Sequence, residues 1–309
     1  MMISACFFIP LASKDCQRVL WTIKSIRLHC LDYRIFVLLD GTREQFCRLE
    51  ITGEDVEILW ASKPSGGHWG QIWQMQNSAM TVALTRDDLA EDCIFVRIDA
   101  DALVVRSGLI ERARSILARD PTIGQLGQCH MNIVGEPMPN HGWANWYAKM
   151  SGLLGIFRMG KALRPCGFGW LKSVCVWRRY RVLLHAAVSS GYRLGEFALG
   201  PSILRLSTVR RLHGEGWLTD SPFRHFPRIG DDVAITPHIY AVGFRAADDV
   251  EANGLFAICG KEPWIHPLKL RQRGHYIIHS IKYGATFERP YLTEAELAGA
   301  LLQSVSTDE

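Results

Sequence analysis

No stretch of this 309-residue chain stays apolar for the length needed to cross a bilayer. Its nine cysteines, scattered from Cys6 to Cys259, contain no C-x-x-C pair, which argues against a structural zinc site and a disulfide framework. The opening MMISACFFIPLA has no basic n-region, so it is expected as a buried first strand rather than a signal peptide. Together these absences predict a reducing, cytoplasmic setting, with peripheral contact at the inner face of a membrane left open. The net charge of +4 is too small to make nucleic acid the expected partner. There is no internal repeat and no low-complexity linker, so residues 1–309 are expected to form one domain.

What is present first is alternation. Short continuous apolar runs at Ala5–Pro10, Arg34–Leu39, Val56–Trp60 and Cys93–Ile98 are the mark of strands buried on both faces. Between them lie segments with three- to four-residue apolar steps, such as Cys16, Leu20, Ile23, Ile26 and Cys30. This predicts an α/β fold: a doubly wound, mostly parallel sheet with a variable C-terminal half. In that half the sequence predicts a strand at Val174–Trp177, a helix from Arg179 to Ser189, and a loop over Arg210–Ile229. A helix follows at Asp232–Val242, then strands at Leu255–Cys259 and Tyr276–Ile281.

Ligands of open α/β sheets bind beyond the carboxyl ends of the strands. Two predicted strands end there in acids: Asp40 after FVLL, and Asp99 with Asp101 after FVRI. In an extended segment residues two apart share a face, so Asp99 and Asp101 aim two carboxylates at one place. Without a basic partner nearby in sequence, two such anions repel unless a cation lies between them. A hard divalent ion, completed by substrate phosphates, satisfies that requirement. Asp231-Asp232 form a second acid pair at a predicted helix start, where neighbouring carboxyls can have their pKa values pushed apart and a helix dipole favours the ionised form.

On these residues the chain resembles glycosyltransferase family 2 and its GT-A (Rossmann-like) relatives. FFIPLASKD resembles their first strand and nucleotide-facing loop, FVLLDGT their second strand, and FVRIDAD the strand bearing D-x-D. Ile229-Gly-Asp-Asp-Val-Ala-Ile235 followed by Ala241-Val-Gly-Phe244 resembles their G-E-D, helix and glycine. The resemblance implies residues 1–130 as a nucleotide-sugar-binding half and 131–300 as an acceptor-binding and catalytic half. It implies a nucleotide-diphosphate sugar as donor, Mn2+ or Mg2+ as cofactor, and a carbohydrate or lipid-linked carbohydrate as acceptor. Pro10, Leu11, Asp40, Asp99 and Lys282 would face the nucleotide, and Asp99, Asp101 and His279 the metal, with His266 as the alternative histidine. Asp232 would be the base of an inverting transfer, with Asp231 standing where the family has Glu. A retaining enzyme of the same fold is the alternative. A sugar-phosphate nucleotidyltransferase is disfavoured, because IPLASKD lacks the glycine-rich loop such enzymes carry after the first strand.

The loop Gly66-Gly67-His68-Trp69-Gly70 precedes a helix and is suited to phosphate. His130, His141, Trp143, Trp146 and Trp170 populate the stretch where an acceptor would lie. Arg158–Arg181 contains seven basic residues and no acid, suited to a phosphorylated acceptor or an anionic membrane surface. Asp248-Asp249 reads as a turn.

Overall fold

The computed structural model describes residues 2–47, 49–61, 69–137, 143–152, 155–158, 170–226, 229–250, 253–258, 265–282 and 293–303. The strands are β1 (Ile3–Ala12), β2 (Tyr33–Asp40), β3 (Val56–Trp60), β4 (Leu89–Arg97), β5 (Ala102–Val104), β6 (Ile123–Gln128), β7 (Leu199–Arg205), β8 (Arg245–Asp248), β9 (Phe256–Ile258) and β10 (Ile277–His279). The helices are α1 (Cys16–His29), α2 (Trp69–Leu84), α3 (Leu109–Arg119), α4 (Trp143–Ser151), α5 (Trp170–Ser189), α6 (Leu206–Gly214), α7 (Asp231–Ala241), α8 (Pro267–Gln272) and α9 (Glu294–Gln303).

A seven-stranded sheet runs in the order β3-β2-β1-β4-β7-β6-β8. All its pairings are parallel except those of β7, which is antiparallel to both β4 and β6. The expected α/β class, a doubly wound and mostly parallel sheet, is therefore what the chain adopts. The central strand shows why. Ala5, Phe7, Ile9 and Leu11 of β1 enter one apolar layer with α1 and α3, while Cys6 and Phe8 enter the other with α2, α5 and α7. A strand covered on both faces has no polar side to alternate with, so it reads as an unbroken apolar run.

The C-terminal half departs from expectation in two places. Val174–Trp177 is not a strand but part of α5, whose buried Ser173, Val176, Tyr180, Leu183, Leu184 and Ala187 follow a helical period. Arg210–Ile229 is not all loop: α6 covers residues to Gly214, burying Leu206, Val209 and Leu212 on one side, and Pro222–His225 forms a 3-10 turn. Strand β7 had no counterpart in the sequence reading, because Gly200-Pro201 interrupts it.

A second sheet of three strands, β5-β10-β9, sits at the carboxyl edge of the first. Its antiparallel register pairs His279 with Ala102, the residue after Asp101. This small ladder joins two segments 177 positions apart, and it is the element that assembles the site.

Candidate metal and active site

Strand β4 ends at Arg97, one residue earlier than predicted, and Asp99 and Asp101 lie in the turn that follows. The Ala102 amide donates to the Asp99 carbonyl at 3.1 Å, closing that turn. The two carboxylates thus converge through a turn and a cross-strand histidine, not through strand alternation as the sequence reading assumed. His279 Nε2 stands 3.3 Å from Asp99 Oδ2 and 3.4 Å from Asp101 Oδ1. Asp101 is buried, and its other oxygen accepts from the Ser280 hydroxyl and from Lys282 Nζ at 2.9 Å. The Ile281 amide donates to the Asp101 carbonyl at 3.0 Å, so the residues after β10 wrap this acid.

The expectation that Asp99 and Asp101 have no basic neighbour in sequence is overturned by Arg97. Two positions before Asp99, it sends Nη1 to Asp99 Oδ2 at 2.8 Å. Its Nε and Nη2 grip Asp231 side-on at 2.6 and 3.2 Å. An arginine at the end of an otherwise apolar buried run was the available signal, since a guanidinium seldom enters such a position without paired acids.

Asp231 and Asp232 occupy the first turn of α7, after Gly230. Asp231 is 3% exposed and also accepts from Gln76 Nε2 of α2 at 2.5 Å. Asp232 is half-buried, and one of its oxygens accepts from the Val233 amide at 2.8 Å. Burial and the negative charge of Asp231 push the Asp232 carboxyl up to about 6, against the opposing pull of Arg97. Asp101 goes the other way. Burial disfavours its charge, but His279, Lys282 and Ser280 outweigh that and hold it well below the ordinary carboxylate range. Burial likewise works against a charged His279, yet Asp99 and Asp101 raise its pKa. A cleft beside these groups is lined by Gln76, Arg97, Asp231 and Asp232 together with apolar side chains including Phe8, Phe95 and Leu204.

The donor set suits a hard divalent cation. Ligand atoms of Asp99, Asp101 and His279 all lie within 4.8 Å of one another. Ligands sharing one small ion at about 2.1 Å stand roughly 3–4 Å apart, so the observed 3.3 and 3.4 Å spacings need little adjustment. Carboxylate oxygens with one imidazole nitrogen suit Mn2+ or Mg2+ better than a thiophilic metal. Four acids, Asp99, Asp101, Asp231 and Asp232, here meet two basic side chains, Arg97 and Lys282.

The remaining expected residues fall as follows. Asp40 ends β2, paired in register with Ala12, two strands from β4 and so roughly 10 Å along the same edge. Pro10 is half-buried near the end of β1, whereas the Leu11 side chain is packed in the apolar layer, which leaves only its main chain for a nucleotide. His266 caps α8, its Nδ1 accepting from the Leu268 amide, and is not part of the Asp99–Asp101–His279 group. The loop at Gly66–His68 and His141 lie outside the described residues.

Two further features were not foreseen. Gly200 of β7, with φ of +62°, packs on His279: a Cβ there would lie 2.9 Å from Nδ1, so only glycine lets the ring sit where it does. Asp248 is not a turn residue. It ends β8 and, with Glu196, brackets His130, with Nδ1 2.6 Å from Asp248 and Nε2 2.9 Å from Glu196.

No protein-family model matches the chain, and no curated protein matches it. Among solved structures it is similar to the mannosyltransferase PcManGT from Pyrobaculum calidifontis, in complex with GDP-Man and Mn2+. That likeness has 15% identity and a TM-score of 0.42, over 81% of this chain and 56% of that one. The bifunctional glycosyltransferase WbbM is similar at 12% identity and a TM-score of 0.49, over 98% and 50%. The galactosyltransferase LgtC, with donor and acceptor sugar analogues, is similar at 11% and 0.43, over 96% and 95%. The chain thus spans about half the length of the first two. Similarity this distant carries no residue role from those proteins to this one.

Proposed function

We propose that the protein is a metal-dependent glycosyltransferase of the GT-A type, moving a sugar from a nucleotide-diphosphate donor to an acceptor hydroxyl with inversion. The carrying observation is the meeting of Asp99, Asp101 and His279 around one point, beside a second acid pair whose members differ in environment. Asp101 and His279, with Asp99, would hold a Mn2+ or Mg2+ ion. That ion would neutralise charge developing on the departing diphosphate.

The chain's own residues have separable tasks. Asp40 and the main chain at Pro10–Leu11 line the edge where the nucleoside would lie. Lys282, now on Asp101, is within reach of a diphosphate drawn to the same place. Asp231 is bound by Arg97 and Gln76 and is not available as a base. Asp232 is, and its elevated pKa suits it to accept a proton near neutral pH. The acceptor oxygen attacks the anomeric carbon as its proton passes to Asp232. The bond to the diphosphate breaks, and the leaving group keeps the electron pair. Attack opposite the leaving group inverts the centre.

Peripheral contact with an anionic membrane, and through it a lipid-linked acceptor, fits the exposed Leu171 and Val182 of α5 beside Arg178 and Arg181. No helix among the described residues is long and apolar enough to cross a membrane. The test is a thermal-shift screen of nucleoside diphosphates, each with and without Mn2+. Stabilisation should require both partners and vanish in Asp101→Ala. A nucleotide shift indifferent to Mn2+, or one that survives in Asp101→Ala, would remove the metal-dependent reading.

A further inference from the structure

Arg97 is shared between two groups of acids that the proposed chemistry keeps apart. Its end-on bond to Asp99 uses Nη1 at 2.8 Å, while its side-on grip on Asp231 uses Nε and Nη2 at 2.6 and 3.2 Å. The side chain is only 15% exposed, so neither bond is replaced by water at little cost. Asp231 is buried in turn and braced by Gln76 of α2, which fixes the far end of the bridge. The near end is contested. The oxygen that Arg97 touches, Asp99 Oδ2, is the same one that faces His279 Nε2 at 3.3 Å. A divalent ion held by Asp99, Asp101 and His279 and the Arg97 guanidinium therefore compete for one carboxylate.

We propose that Arg97 is a positioning residue coupling the metal cluster to the start of α7: Asp231, by gripping the guanidinium, keeps it from closing fully on Asp99 and so leaves Asp99 available to the ion. This rests on the metal-dependent reading of the site. Asp231 then influences metal binding without touching a ligand, and by linkage the metal tightens the Arg97–Asp231 grip that sets Asp232 beside the cleft.

The test needs neither donor nor acceptor. Mn2+ affinity of the full chain is measured by electron paramagnetic resonance of the free ion, in four proteins: wild type, Asp231→Asn, Arg97→Met and the double variant. Circular dichroism confirms folding, and Arg97→Lys, which keeps the charge but cannot span both acids, replaces Arg97→Met should that fail to fold. Asp231→Asn should weaken Mn2+ binding about fivefold or more in the arginine background. With Arg97 replaced, only the distant loss of charge remains, about twofold. Equal losses in both backgrounds would overturn the coupling while leaving the metal site intact. Absence of Mn2+ binding by the wild-type protein would instead remove the metal site, and the coupling with it.

Discussion

Two histidines in this molecule each stand between two carboxylates, and they do opposite things. At His130 the acids take different ring nitrogens, Asp248 on Nδ1 and Glu196 on Nε2. The leftover capacity is also used: Asp248 Oδ1 accepts from the Cys129 and His130 amides at 2.6 and 2.9 Å, and Tyr240 donates to Glu196 at 2.7 Å. The result is a closed strut tying the ends of β6 and β8 to the segment entering β7. At His279 both acids approach the same nitrogen, and a single N–H cannot serve two carboxylates fully. Residue types alone do not separate the two clusters; convergence on one atom is what makes the second a candidate for a shared cation.

The contrast can be broken most severely at Asp232, the proposed base. Asp232→Asn should lower turnover by about 10²–10⁴ while leaving Mn2+ binding in place. In the wild type, kcat/KM should rise with pH through about 6 and level above it, as the base loses its proton. Stability should run the other way. Because folding raises the Asp232 pKa from 3.8 to about 6, its favourable contribution is present below 3.8 and lost as pH rises through 6. Asp232→Asn is therefore expected to melt at higher temperature than wild type at neutral pH, a gain in stability at the expense of activity.

Gly200→Ala sharpens the comparison from the other cluster. The added methyl must displace His279, and Mn2+ affinity should fall about tenfold. His130→Gln should leave Mn2+ affinity unchanged and cost about 2 kcal/mol in urea unfolding, the penalty for a broken buried pair discounted for a ring 37% exposed. Asp248 and Glu196 raise the His130 pKa from 6.5 to about 10, so the wild-type advantage is full below 6.5 and fades as pH rises through 10. If His130→Gln reduced Mn2+ affinity as much as Gly200→Ala does, the distinction between strut and metal site would disappear. The smallest effect is expected at Asp40→Asn: roughly fivefold weaker nucleotide binding by calorimetry, with Mn2+ binding alone unchanged.

The parallel core was legible because its strands are buried on both faces, so Phe7 and Phe8, or Phe95 and Val96, read as apolar without interruption. Asp40, Asp99 and Asp101 stood out as acids at the ends of such runs. Strand β7 was not legible, since Gly200 and Pro201 look like a break until His279 is seen packed against the glycine. Helix α5 was misread over Val174–Trp177 because valines two apart mimic strand alternation, while the helical period of its buried residues emerges only over the full length. Arg97 was in plain view two residues from Asp99, but its partner Asp231 lies 134 positions away. No local pattern reports a bridge of that span. The same holds for His130, whose acids come from positions 196 and 248.

The most direct trial of the account is diffraction from crystals grown with Mn2+, recorded for its anomalous signal. One anomalous peak is expected within about 2.3 Å of carboxylate oxygens of Asp101 and Asp99 and of His279 Nε2, with Lys282 displaced from Asp101 and Arg97 still on Asp231. A map at high Mn2+ with no peak between those three side chains, and with Lys282 still seated on Asp101, would contradict it.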